Sequence, residues 1–178
     1  NFENENFQLV SINTSRFDTT KHRATPVVSD AKVGLIELSK ALGNWKAPNE
    51  WYNKALEERK TWDDYVAKQS GPTNQELPSY AHAVGAVYRN SDPSDIVVTA
   101  AGGLVGEVVQ IWKPKQLNTF ETEWGFSCMG YEISGALGIK MAKPDQDVVV
   151  FVGDGSYLLQ NSDIYSSVIY DKKLIIIV

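Results

Sequence analysis

A single cysteine, Cys128, stands in the 178 residues of the chain. That excludes an internal disulfide and fits a reducing compartment, with the cytoplasm as the default. Basic charge is scarce as well: 17 Lys and Arg against 22 Asp and Glu leave a net charge of −5. No basic cluster offsets it, so a nucleic-acid surface is excluded. No apolar run approaches the length of a membrane span, and no N-terminal signal peptide is visible, so no membrane partner is expected. Three loop signatures are missing too. No Lys-Ser/Thr pair follows the glycines at 153 and 155, which excludes a Walker loop. The third glycine of a dinucleotide fingerprint is absent, and so are the regularly spaced acidic residues of an EF-hand. There is no internal repeat and no low-complexity tract.

The composition that remains is that of a soluble globular protein, 43% hydrophobic and 22% charged, long enough for one good core or parts of two. Its most informative stretch is Asp147 to Leu159. The β-branched and aromatic run from Val148 to Val152 reads as a strand buried on both faces, as in a parallel sheet. It breaks at Gly153-Asp154-Gly155, where two glycines permit backbone angles that other residues resist. A helix is expected to open at Gln160-Asn161-Ser162-Asp163, with Asn161 as N-cap. Asp154 would then stand at the carboxyl end of a parallel strand, where open α/β sheets bind ligands. The amides of Gly155 and Ser156 could turn toward an anion, and the carboxylate could hold a cation shared with it. This suggests a metal–diphosphate site, although an ordinary turn has the same residues.

Earlier segments repeat the pattern. Phe7 to Ile12 and Pro26-Val27-Val28 have strand composition, separated by a polar stretch, Asn13 to Thr25, without a clear period. Asp30 caps a helix over about 31–42, with Val33, Ile36, Leu38 and Leu42 among its apolar positions, and Gly43 ends it. Trp51 to Gln69 reads as a charged amphipathic interdomain helix carrying Trp51, Tyr52, Trp62 and Tyr65. Ser70 to Asn74 is a linker. From Pro78 the order is helix (79–89, with His82 on its face), strand (95–100), Gly102-Gly103, helix (from about 105 to 112), a weaker strand at 118–120, a small-residue helix (129–141), the Val148 strand, the Asn161 helix and a strand at 174–178. In the small-residue helix, glycines that each cost about 1 kcal/mol relative to alanine imply close packing. That order implies a parallel sheet with right-handed crossovers. The chain stops inside an apolar strand, Leu174 to Val178, so it is expected to be a fragment of a longer protein.

Two motifs in this order carry a resemblance. Phe126-Ser127-Cys128-Met129-Gly130-Tyr131-Glu132-Ile133-Ser134-Gly135-Ala136-Leu137-Gly138, followed by Val152-Gly153-Asp154-Gly155-Ser156-Tyr157-Leu158, resembles the cofactor-binding domain of thiamine-diphosphate enzymes of the acetolactate synthase type. The unbroken run from Trp124 to Gly138 is similar, more narrowly, to the trihydroxycyclohexane-1,2-dione hydrolases of myo-inositol catabolism, which open a cyclic diketone to 5-deoxyglucuronate. Gln8 to Asn13 and Asp30-Ala31 resemble the end of that family's central domain. The fold implied is α/β: the first part of a parallel-sheet diphosphate-binding domain (78–178), preceded by the end of an α/β central domain (1–43) and a linker with an interdomain helix (44–77).

The resemblance implies thiamine diphosphate and Mg²⁺ as cofactors. Asp154 would be a metal ligand. Gly153, Gly155 and Ser156 would lie along one diphosphate-side loop, and Gly102, Gly103 and Leu104 along the other. Met129 would be the hydrophobic wedge that bends the cofactor, and the Ser127 carbonyl would face its aminopyrimidine; many relatives carry glycine at the position of Ser127. Two family elements have no counterpart here: the asparagine that completes the metal site, expected just after Val178, and the activating glutamate, normally donated by a partner subunit. The resemblance therefore implies a homodimer or homotetramer of the full-length enzyme and an inactive chain on its own. Two other readings stay open: an acetolactate synthase-like carboligase, which would share every residue above, and a non-catalytic module binding a nucleotide or flavin through the same glycine turns.

Overall fold

The computed structural model describes residue 4 and residues 6–178. The chain divides into two compact units, Asn1–Ala55 and Leu56–Val178, the division falling inside the stretch read as linker and helix.

In the first unit, β1 (Val10–Asn13) runs parallel to β2 (Thr25–Val28), with Val10 opposite Thr25 and Asn13 opposite Val28. The polar stretch between them is structured. The Ser15 hydroxyl caps α1 (Arg16–Thr19) by accepting from the Asp18 amide at 3.3 Å, and one 3-10 turn follows at Lys21–Arg23. α2 (Ala31–Leu42) begins where expected, because the Asp30 carboxylate accepts from the Val33 amide at 3.1 Å. Its packing is not as expected. Val33, Ile36, Leu38 and Leu42 are all exposed, and the buried residue of α2 is Gly34. A Cβ at Gly34 would lie 2.8 Å from the Ile12 side chain, so the helix approaches β1 through a glycine. Apolar residues in a helix do not by themselves show what covers them.

In the second unit, α3 (Asn49–Gln69), whose last two-thirds lie here, gives Val66 to the core, whereas Trp62 and Tyr65 stay half-exposed. α4 (Tyr80–Asn90) opens with a reciprocal cap. The His82 amide donates to the Ser79 hydroxyl at 3.4 Å, and the Ser79 amide donates to His82 Nδ1 at 3.2 Å. His82 is thus a capping residue. The sheet comprises β3 (Ile96–Thr99), β4 (Phe120–Thr122), β5 (Val148–Phe151) and β6 (Ile175–Ile177), all parallel, in the order β4-β3-β5-β6. Val97 lies opposite both Phe120 and Val149, and Val150 opposite Ile176. The connecting helices are α5 (Gly102–Ile111), α6 (Tyr131–Ala142), α7 (Asp154–Gln160) and α8 (Ser162–Ile169).

Every residue of β3 and β5 is buried, and alternate side chains serve opposite layers. Val97, Val149 and Phe151 pack with Val84, Val108 and Trp112 of the α4–α5 layer. Ile96, Val98, Val148, Val150 and Val152 pack with Ile133 and Ala136 of α6. Each such side chain contributes about 1.5–3 kcal/mol on leaving water. Trp112 meets Phe151 edge-on at 6.0 Å and Tyr88 at 5.2 Å. Close packing around the α6 glycines holds only in part. A Cβ at Gly135 would meet the Tyr131 ring at 2.9 Å, but one at Gly138 would meet nothing within 4 Å. Among the described residues no helix is long and apolar enough to cross a membrane.

α4 crosses the end of α3 at Gly85. A Cβ there would lie 2.1 Å from the Ser70 carbonyl oxygen, which also accepts from Arg89. Backbone cannot step aside as a flexible side chain would, so Gly85→Ala is expected to cost about 1–3 kcal/mol. Urea unfolding checks this: the midpoint falls while the slope stays constant.

Candidate functional site

α5 leaves β3 toward β4, whereas α7 and α8 leave β5 toward β6, the other way along the sheet. The carboxyl ends of β3 and β5 therefore flank a topological switch point, where the diverging connections open a crevice. A cleft of about 440 Å³ lies there. Gly102, Gly103 and Leu104 line it after β3, and Gly153, Asp154, Gly155 and Ser156 line it after β5, with Met129 from the loop before α6. Ser127 does not line the cleft; it stands two residues upstream of Met129 and is exposed. Tyr80, Ala101, Val152 and Val178 also line it and were not anticipated. Three of these follow from position alone, being at or just beyond strand ends; Tyr80 opens a helix remote in sequence, with no local signal.

Both helices at the cleft start earlier than the sequence pattern implies. α5 begins at Gly102 rather than near Val105, and α7 begins at Asp154 itself, breaking at Asn161 before α8. Asn161 makes no side-chain capping bond. Gly153 has an ordinary extended backbone (φ −74°, ψ 156°), and Gly155 is not left-handed. The Gly-Asp-Gly glycines are thus not needed for unusual angles. At Gly155 a Cβ would sit 3.0 Å from Met129 Cε, a contact that a small movement of the methionine side chain would relieve. Gly130 meets both demands, with φ +96° and a Cβ position 3.1 Å from Gln160 Cβ.

Two carboxylates absent from the sequence reading hold the loops. Glu132 is completely buried. Its Oε1 accepts from the Ala101 amide at 3.2 Å and its Oε2 from the Gly130 amide at 2.9 Å. The available signal was a lone acidic residue just inside a helix whose only other charge is Lys140 in its last turn. Glu123 accepts from the Phe126 amide at 2.9 Å and the Cys128 amide at 2.6 Å, folding the loop that carries Ser127. The Cys128 amide first, and the Phe126 amide next, hold the Glu123 carboxyl below the usual glutamate range. Ser127 sits in this loop with φ +53°, a left-handed conformation that glycine adopts freely.

Asp154 is exposed to the cleft, and its Oδ1 accepts from the Gly155 amide at 2.9 Å. That amide, expected to face an anion, is engaged by the neighbouring carboxylate here. Among the described residues, the lining carries no ionisable side chain apart from Asp154 and the Tyr80 phenol, and no Lys or Arg. Among the described residues no cluster of three or more His, Cys, Asp or Glu could hold a metal unaided. A single carboxylate can bind a divalent cation firmly only if the ligand brings oxygens of its own.

Residues 100–178 match the family described as thiamine pyrophosphate enzyme, C-terminal TPP binding domain. Over 96% of its length the chain is 33% identical to the 3D-(3,5/4)-trihydroxycyclohexane-1,2-dione hydrolase of Geobacillus thermodenitrificans (strain NG80-2), covering 30% of that enzyme. It is likewise 33% identical to the enzyme of the same name from Clostridium tetani (strain Massachusetts / E88), over 97% of the chain and 31% of the relative. With that of Lacticaseibacillus casei the identity is 32%, over 96% of the chain and 30% of the relative. The chain thus spans about 30% of the length of these curated relatives.

Two outcomes follow from the Glu123 loop. Because the folded-state pKa of Glu123 is lowered, its contribution is complete above about pH 4.5 and is lost as pH falls through the folded value. Amide exchange at Phe126 and Cys128 should accelerate below about pH 4.5, beyond the intrinsic pH dependence, and Glu123→Gln should remove that step. Ser127→Gly should stabilise the chain by about 1 kcal/mol, read from the denaturation midpoint.

Proposed function

We propose that the chain supplies the diphosphate-binding half of the active site of a thiamine-diphosphate- and Mg²⁺-dependent hydrolase, which cleaves a carbon–carbon bond of trihydroxycyclohexane-1,2-dione to give 5-deoxyglucuronate in myo-inositol catabolism. The observation that carries the cofactor reading is the charge of the cleft. A diphosphate bound where no Lys or Arg reaches has two sources of neutralisation, backbone amides and a metal ion. The cleft offers both: the first-turn amides of α5 at Gly102, Gly103 and Leu104, and the Asp154 carboxylate. In this reading Asp154 would hold Mg²⁺, and Gly155 and Ser156 would offer amides or a hydroxyl to the diphosphate. Met129, which lines the cleft beside Gly155, would serve as the hydrophobic wedge for the cofactor, and the Ser127 carbonyl, outside the lining in this structure, would have to approach to meet the aminopyrimidine.

When bound, thiamine diphosphate supplies the carbanion chemistry that breaks the bond between the two carbonyl carbons. The residues of this chain anchor, neutralise and shape; no glutamate among them is assigned the activating role. The similarity to hydrolases of that name supports the substrate, since the carboligase reading would use the same lining residues. We place the complete enzyme in the cytoplasm as a homodimer or homotetramer, in keeping with one cysteine and the family's shared sites.

Calorimetric titration of the chain with thiamine diphosphate and Mg²⁺ tests the site. Weak, Mg²⁺-dependent uptake is expected, without turnover, and Asp154→Ala should abolish the Mg²⁺ dependence while leaving the unfolding midpoint within about 0.5 kcal/mol of wild type. Uptake by the variant at wild-type affinity would refute the metal assignment. Supplying the complete enzyme with the cyclic diketone or with pyruvate tests the reaction: acetolactate without ring-opened acid would make it a carboligase.

A further inference from the structure

We propose that Glu132 is a positioning residue that sets the spacing of the two cleft walls by joining the N-caps of α5 and α6 through one carboxylate. Its consequence for ligand binding rests on the thiamine-diphosphate reading; its consequence for the loops does not.

Glu132 is 0% exposed, and a carboxylate is expensive to remove from water unless its oxygens are satisfied. Both are spent on backbone amides, Oε1 on Ala101 and Oε2 on Gly130. Each amide belongs to an N-cap residue, Ala101 for α5 and Gly130 for α6, and so has no partner within its own helix. Neither N-cap has a side-chain bond of its own. Ala101 lies 31 residues from Glu132 in sequence, so the bond joins segments that nothing local would bring together.

The two amides also flank the residues that face the cleft. Ala101 precedes Gly102-Gly103-Leu104, and Gly130 follows Met129. Gly102 (φ +82°) and Gly130 (φ +96°) both stand in left-handed conformations, with no side chain to hold them there. Glu132 does not line the cleft; it acts through its neighbours, the anion-facing amides of α5 on one side and the Met129 wedge on the other. Ionised, it is acceptor-only and serves both amides at once. Glutamine presents a single acceptor oxygen and would turn its NH₂ toward one of the two N–H groups. Aspartate is one methylene shorter and reaches one loop at most.

Backbone amide exchange on the chain, by NMR, and titration with thiamine diphosphate and Mg²⁺ test this together. In the wild-type chain Ala101 and Gly130 should be among the protected amides. In Glu132→Gln at least one of them should exchange about tenfold faster or more, with affinity for the cofactor falling about tenfold to a hundredfold, as expected for loss of a charge-assisted bond. Glu132→Asp should not restore affinity. Fast exchange of either amide in the wild type would overturn the proposal without any variant being needed, should the variants not fold. So would a glutamine variant that keeps both amides protected. A variant that frees an amide yet binds the cofactor as tightly as wild type would reduce Glu132 to a structural tie. If the wild-type chain takes up no thiamine diphosphate, it is the cofactor reading that fails, and the exchange data still decide the role of Glu132 in the loops.

Discussion

One buried carboxylate holds the working end of this molecule together. Glu132 is fully buried in the first turn of α6, next to Ile133, and both of its oxygens accept from backbone amides. In surroundings of low polarity such bonds are strong, and an unmet partner is correspondingly costly. The cost works in both directions. The loops are held because the carboxylate needs their amides, and the carboxylate can be buried because the loops provide them.

What lies beneath is a sheet that supplies rigidity. β3 and β5 are buried on both faces and paired to each other in register, so their carboxyl ends are fixed side by side. The segments that leave them diverge at the switch point and open the cleft between their first turns. The cleft is electrostatically spare: backbone amides on one side, a lone carboxylate on the other, no basic side chain. Such a lining suits a ligand that carries its charge as phosphate and brings its own cation, in accord with the similarity of residues 100–178 to the C-terminal domain of thiamine pyrophosphate enzymes.

The two units contrast in how far their apolar surface is used. In Leu56–Val178 alternate strand residues fill two core layers. In Asn1–Ala55 a parallel pair and the helix beside it leave Val10, Val28, Val33, Leu35 and Ile36 in solvent. Parallel pairs are ordinarily covered on both faces, so the second unit alone has the burial expected of a self-sufficient core.

Much of this was determined by the sequence alone. The Val148–Val152 run, the caps at Asp30 and Ser79, and the alternation of strands and helices after Pro78 all depend on residues within one turn or one strand of each other, and local chemistry is enough to decide them. The glycine turns likewise marked the residues that line the cleft, because a strand end followed by glycine is a local event. Tertiary structure alone decided the rest. α5 and α7 begin several residues early because their first turns are set by what they meet, Ala101 by a carboxylate 31 residues away, and pattern carries no information at that range. The apolar positions of α2 are spread around the helix and remain exposed in the fold, since burial is a property of the neighbour as much as of the residue. Glu132 reads in the sequence as one more acid; its role exists only where the end of β3 is brought against the first turn of α6.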